Sequence, residues 1–106
     1  MAISYKNEIV KIIARLEQDD FKKAFSILKN LVSFHDTFRK LYLSRRIAVD
    51  YAYVEAMDSA FSYSIDVLEG LSEKSIMRKK EDVISHLESV ISFADVLDKA
   101  ITKKKK

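Results

Sequence analysis

The chain has no cysteine, no proline and no tryptophan, and its only glycine is Gly70. Without thiols there is no disulfide framework, no thiolate zinc site and no cysteine nucleophile. A single glycine also excludes the dinucleotide fingerprint and the P-loop, both of which need several. Strand-and-turn folds place positive-φ residues at many turns, so the same scarcity argues against hairpins, sandwiches and barrels. Long apolar runs are missing too. The stretch Ile9-Val10 and Ile12-Ile13 is interrupted by Lys11 and followed by Arg15, with no small-residue cleavage site behind it. Nothing approaches the ~18 consecutive uncharged residues of a membrane span. The expectation is a cytoplasmic protein with no membrane partner.

What remains is helical. At 106 residues the chain is long enough for one cored domain. Ile9, Ile12, Ile13 and Leu16 recur at helical spacing and predict a first helix over 4–17. Gln18-Asp19-Asp20 breaks it, with either aspartate able to cap the next helix. A second stripe runs Phe21, Ala24, Phe25, Leu28, Leu31, Val32, His35, Phe38 and Tyr42. A third runs Ile47, Tyr51, Val54, Met57, Phe61, Ile65 and Leu68, beside a row of small residues, Ala52, Ala56 and Ala60. This third helix is apolar over most of its circumference and is expected to be the most buried. Gly70 is the natural C-terminal cap, and Ser72 or Ser75 can open a last helix carrying Val83, Leu87, Val90, Ile91, Ala94, Leu97 and Ile101.

No glycine or proline marks a turn at Ser44-Arg45-Arg46. Two architectures therefore fit: an up-and-down four-helix bundle, or two short helices leading into a long helical hairpin that dimerises. The all-α bundle is the expected fold, as one domain over 1–102 followed by a basic tail at 103–106.

Charge is sorted into blocks. Between Lys22 and Arg46 stand seven basic residues against one acid, Asp36. Between Asp50 and Glu73 stand six acids and no Lys or Arg. The net charge of +3 belongs to Lys103–Lys106; without them fifteen basic residues face sixteen acidic ones. Inference from a basic pI is therefore inference about the tail and the local block.

Candidate chemistry is sparse. Glu55, Asp58 and Asp66 lie on one helix, but a helical di-iron site needs Glu-x-x-His pairs, and neither His35 nor His86 has a Glu three residues before it. No metal and no cofactor are expected. His35 lies on the apolar stripe and reads as a satisfied core histidine. Helical nucleases that place Arg four to six residues ahead of His have no counterpart here. With no nucleophile–base pair either, an enzyme is not expected.

The functional candidates are binding residues. Arg39, Lys40, Arg45 and Arg46, together with Lys103, Lys104, Lys105 and Lys106, can contact nucleic-acid phosphates. The competing use of the block is pairing with acids of the next helix. Tyr53, which falls off the main stripe, and the acidic Glu55 and Asp58 form a candidate face for a protein partner. The resulting expectation is a small non-enzymatic accessory or adaptor subunit of a nucleoprotein assembly. The alternative is a self-associating module, as a homodimer, in which the charge blocks set register and nucleic acid plays no part.

Overall fold

The computed structural model describes residues 4–70 and 73–104. Five helices occupy almost all of them: α1 (Tyr5–Glu17), α2 (Phe21–Leu43), α3 (Tyr51–Gly70), α4 (Glu73–Ser89) and α5 (Ile91–Lys104). The protein is all-helical, as composition and periodicity require. α1 and α3 each pack against α2, α4 and α5, giving an elongated body of 45 × 23 × 20 Å. One hydrophobic cluster joins all five helices.

The helix ends show how a chain with one glycine makes its turns. α1 closes with the Asp20 N–H donating to the Arg15 carbonyl (2.9 Å) and the Asp19 N–H to the Leu16 carbonyl (3.0 Å). α2 closes in the same way, Arg46 donating to Leu41 (2.9 Å) and Arg45 to Tyr42 (3.0 Å). Both are Schellman closures, which need a residue in the left-handed region at the first position past the cap. Asp19 (φ 59°) and Arg45 (φ 65°) supply it in place of glycine. Asp20 then accepts from the Lys23 N–H to cap α2 (3.3 Å), and Asp50 accepts from the Ala52 N–H to cap α3 (3.0 Å). Each such cap contributes about 1 kcal/mol.

The turn at Ser44-Arg45-Arg46 therefore exists, and no single helix runs through it. Gly70 does not act as a left-handed cap: it is the last residue of α3, and its φ is not positive.

One expectation about the helices needs correction. The last helix, read as one rod, is two. Its stripe passes unbroken through Val90, so the sequence carries no sign of the interruption. At the break the Val90 N–H donates to the Leu87 carbonyl (3.2 Å), while the Ser89 hydroxyl takes the His86 carbonyl (2.7 Å). A serine side chain competing for a helix carbonyl is a known source of such interruptions. Val90 stays buried, so the apolar face continues through the interruption.

α3 carries the largest number of buried residues of the described helices, seven, as its wide apolar circumference suggests, and on α1 Tyr5, Ile9, Ile12 and Leu16 are all 0 % exposed. On α3, Ala60 is covered, Ala56 is half-covered and packed against the core, and Ala52 is open, so the small-residue row closes toward its C-terminal end.

Candidate functional site

Two polar features stand out, one inside the bundle and one at its α2–α3 end. The internal one is a chain of hydrogen bonds crossing three helices. From α1, the Tyr5 hydroxyl lies 2.7 Å from His35 Nδ1 on α2. His35 Nε2 lies 2.6 Å from Asp58 Oδ1 on α3. The same Asp58 oxygen receives Arg39 Nη2, one turn after His35, and Arg39 Nη1 reaches Asp36 at 3.5 Å.

The donors and acceptors can be assigned from chemistry. A carboxylate only accepts, so His35 donates from Nε2 to Asp58, and its bare Nδ1 accepts from the tyrosine O–H. A neutral imidazole satisfies both bonds at once. Burial lowers the His35 pKa from its ordinary value, against the opposing pull of the Asp58 hydrogen bond and charge. Burial, helped by the charges of Asp98 and Asp58, pushes the Tyr5 phenol far above its usual range. The hydrogen bond to Asp58 raises Arg39. Both Tyr5 and His35 therefore stay uncharged near neutral pH.

The aromatic surroundings hold this arrangement. The Tyr5 ring meets Phe34 and Phe38 edge-on, at 5.2 and 5.6 Å between centroids, and lies parallel to Phe61 at 6.4 Å. The N-terminus of α1 is anchored from the far end of the chain. Asp98 on α5 accepts from the Tyr5 N–H (2.7 Å), the Ser4 hydroxyl (2.8 Å) and the Lys6 N–H (3.2 Å). A carboxylate at a helix N-terminus also complements the helix dipole. Among the described residues no buried side-chain polar atom lacks a hydrogen-bond partner. His35 is 2 % exposed and bonded on both nitrogens, so it has no free atom to offer a substrate.

The second feature is the end of the bundle where α2 turns into α3. Lys40, Arg45 and Arg46 are exposed there, and among the described residues no carboxylate lies within 4 Å of any of them. Beside them Leu43 is 67 % exposed and Tyr51 is 50 % exposed, with Tyr51 tilted against Tyr42 at 6.0 Å. A cleft of about 420 Å³ opens between Tyr42, Leu43, Arg45, Ile47 and Ala48.

The structure thus divides the basic block. Arg39, expected to face phosphate, is committed to Asp58 and Asp36, the internal pairing that was its alternative use. Asp58, expected on a partner-facing surface, is half-buried and engaged by the same bonds. Tyr53 is half-buried and packs on Phe93 with ring centroids 5.1 Å apart, so its ring is occupied within the molecule. Glu55 is exposed, and no cation among the described residues reaches it. α5 continues through Lys103 and Lys104, beyond the expected domain edge at 102, and Lys105 and Lys106 lie outside the described residues.

Tyr5 was legible as an extension of the α1 stripe, four residues before Ile9. Asp98 was not legible, because 93 residues separate it from the backbone it caps. Among the described residues no cluster of three or more His, Asp or Glu is arranged to hold a metal ion. No helix among them is long and apolar enough to cross a membrane. No protein-family model, curated protein or solved structure matches the chain.

Proposed function

We propose that this protein is a non-enzymatic helical binding module, an accessory subunit that holds nucleic-acid phosphates at the α2–α3 end. The observation that carries this reading is the group of cations Lys40, Arg45 and Arg46, unpaired among the described residues, beside exposed Tyr51 and Leu43. Guanidinium groups bind phosphate bidentately, and an exposed aromatic ring offers a stacking face to an unpaired base. Arg39 drops out of the contact set, since removing it from Asp58 would strand a partly buried charge. The lysines from Lys103 onward add positive charge to the chain and belong to the same proposal.

The test is fluorescence anisotropy with short single- and double-stranded DNA and RNA at two salt concentrations. If three phosphates are neutralised on a duplex, affinity falls roughly 40-fold on raising salt from about 50 to about 200 mM. The Lys40→Ala/Arg45→Ala/Arg46→Ala variant should lose that binding and its salt slope while keeping its helical CD spectrum. Equal binding by this variant would rule out the α2–α3 end. No binding to any of the four probes by the unaltered protein would rule out the proposal as a whole.

A further inference from the structure

A groove runs along the outside of the α2–α3 pair, away from the basic end. Its upper part is a cavity of about 350 Å³ lined by Val32, Phe61 and Ile65 with Asp36, Asp58 and Asp66. Its lower part is a cavity of about 330 Å³ that shares Val32, Asp36 and Ile65 and continues to Phe25, Lys29 and Glu69. Because three residues line both, the two cavities form one continuous trough. From Phe25 to Arg39 it follows α2 for about 21 Å, four helical turns at 1.5 Å per residue.

The two rims differ. α3 contributes Asp58, Asp66 and Glu69 and no cation, as the uninterrupted acidic block of the sequence requires. The α2 rim is mixed, with Asp36 bonded to Arg39 and Lys29 lying over the Phe25 ring at 5.4 Å. Asp58 is occupied by His35 and Arg39, whereas Asp66 and Glu69 have no cation partner among the described residues.

We infer that this trough is a docking site for an amphipathic helix of another protein, about four turns long, with Lys or Arg along one flank. The half-buried Phe25, Val32 and Ile65 form the apolar floor for the partner's hydrophobic stripe. Asp66 and Glu69 meet its basic flank. The mixed α2 rim offers no comparable attraction, so the charge difference between the rims sets the helix's orientation. Helix-in-groove recognition works through anchors at i, i+3, i+4 and i+7, and a four-turn trough accommodates such a set. Electrostatic complementarity then selects a basic partner over an acidic one. The site is separate from the proposed phosphate contacts and does not depend on them.

The test titrates the full chain with a synthetic leucine–lysine peptide of four turns, its leucines at helical spacing and its lysines on one flank. Amide chemical shifts locate the site and anisotropy measures the affinity. Perturbations should map to Phe25, Val32, Ile65, Asp66 and Glu69. Asp66→Lys/Glu69→Lys, at exposed rim positions, should bind about tenfold more weakly. The same variant should gain affinity for a leucine–glutamate peptide of identical pattern. Absence of binding by the unaltered chain overturns the inference, as do unchanged affinity of the reversed variant and perturbations confined to the Leu43 end. A sedimenting mass near twice 12.3 kDa that Ile65→Glu halves also overturns it, because a second copy would then fill the groove.

Discussion

Tyr5→Phe removes a single oxygen, and the contacts of that oxygen set its cost. The hydroxyl donates to His35 Nδ1 over 2.7 Å in a fully enclosed position. The phenyl ring left behind keeps its neighbours Phe34, Phe38 and Phe61, so no methylene-sized void opens. What is lost is the hydrogen bond, and what is exposed is a buried imidazole nitrogen without a donor. Leaving one buried partner unsatisfied costs about 1–3 kcal/mol. For a domain of this size that is a fall of roughly 4–8 °C in Tm for each kcal/mol.

Urea unfolding followed by far-UV CD at neutral pH measures it, with an unchanged m-value confirming that both states keep their compactness. His35→Leu strands the tyrosine hydroxyl in turn, but leaves Asp58 with Arg39. The double variant removes both ends of the bond, so its cost should fall below the sum of the singles by about 0.5–3 kcal/mol. A Tyr5→Phe penalty under about 0.5 kcal/mol, typical of a surface change, would refute the reasoning. So would a cycle that closes with no coupling.

Stability should also depend on pH through His35. Its folded pKa lies below the unfolded value of about 6.5, so the unfolded state binds the extra proton first. The contribution is fully present above about pH 6.5 and is lost as pH falls toward the folded pKa. Urea midpoints measured downward from pH 7 should drop more steeply for the unaltered protein than for His35→Leu. Asp98→Ala removes the carboxylate that caps α1 from α5 and should cost about 1–2 kcal/mol, with hydrogen exchange rising first at the Tyr5 and Lys6 amides. Arg45→Gly relieves a left-handed residue at the close of α2 and should add about 1 kcal/mol, read as a higher urea midpoint, while weakening nucleic-acid binding. Loss of stability at Arg45→Gly would contradict the Schellman assignment.

Much of the fold was legible because helical periodicity is a local property. Ile9, Ile12 and Leu16 announce α1 by spacing, and each is buried in the structure. Gln18-Asp19-Asp20 announces a break because aspartate both caps and tolerates the left-handed region. His35 on an apolar stripe announces a core histidine, and the structure supplies its two partners. The turn at Arg45 was harder, since no glycine marks it and only the closure geometry of α2 reveals it. The break at Val90 was invisible, because the apolar period runs through it and the interruption lasts one residue.

The candidate sites divide along the same line. That Lys22–Arg46 is basic and Asp50–Glu73 acidic is a property of the chain and needs no fold. Which cation meets which acid depends on where α2 and α3 cross. That crossing brings Arg39 and His35 to Asp58, and leaves Lys40, Arg45 and Arg46 beyond reach of any carboxylate among the described residues. It likewise engages Asp58 with His35 and Arg39, while Asp66 and Glu69 stay open beside the trough.

The sequence by itself determined helical content, the limits of α1, the start of α2 and the apolar faces, since backbone hydrogen bonds and side-chain period act over a few residues. Only the tertiary structure decided the Tyr5–His35–Asp58–Arg39 chain and the Asp98 cap. Both join residues remote along the chain, and a hydrogen bond depends on angstrom-scale distance and direction that helical spacing within one segment does not specify.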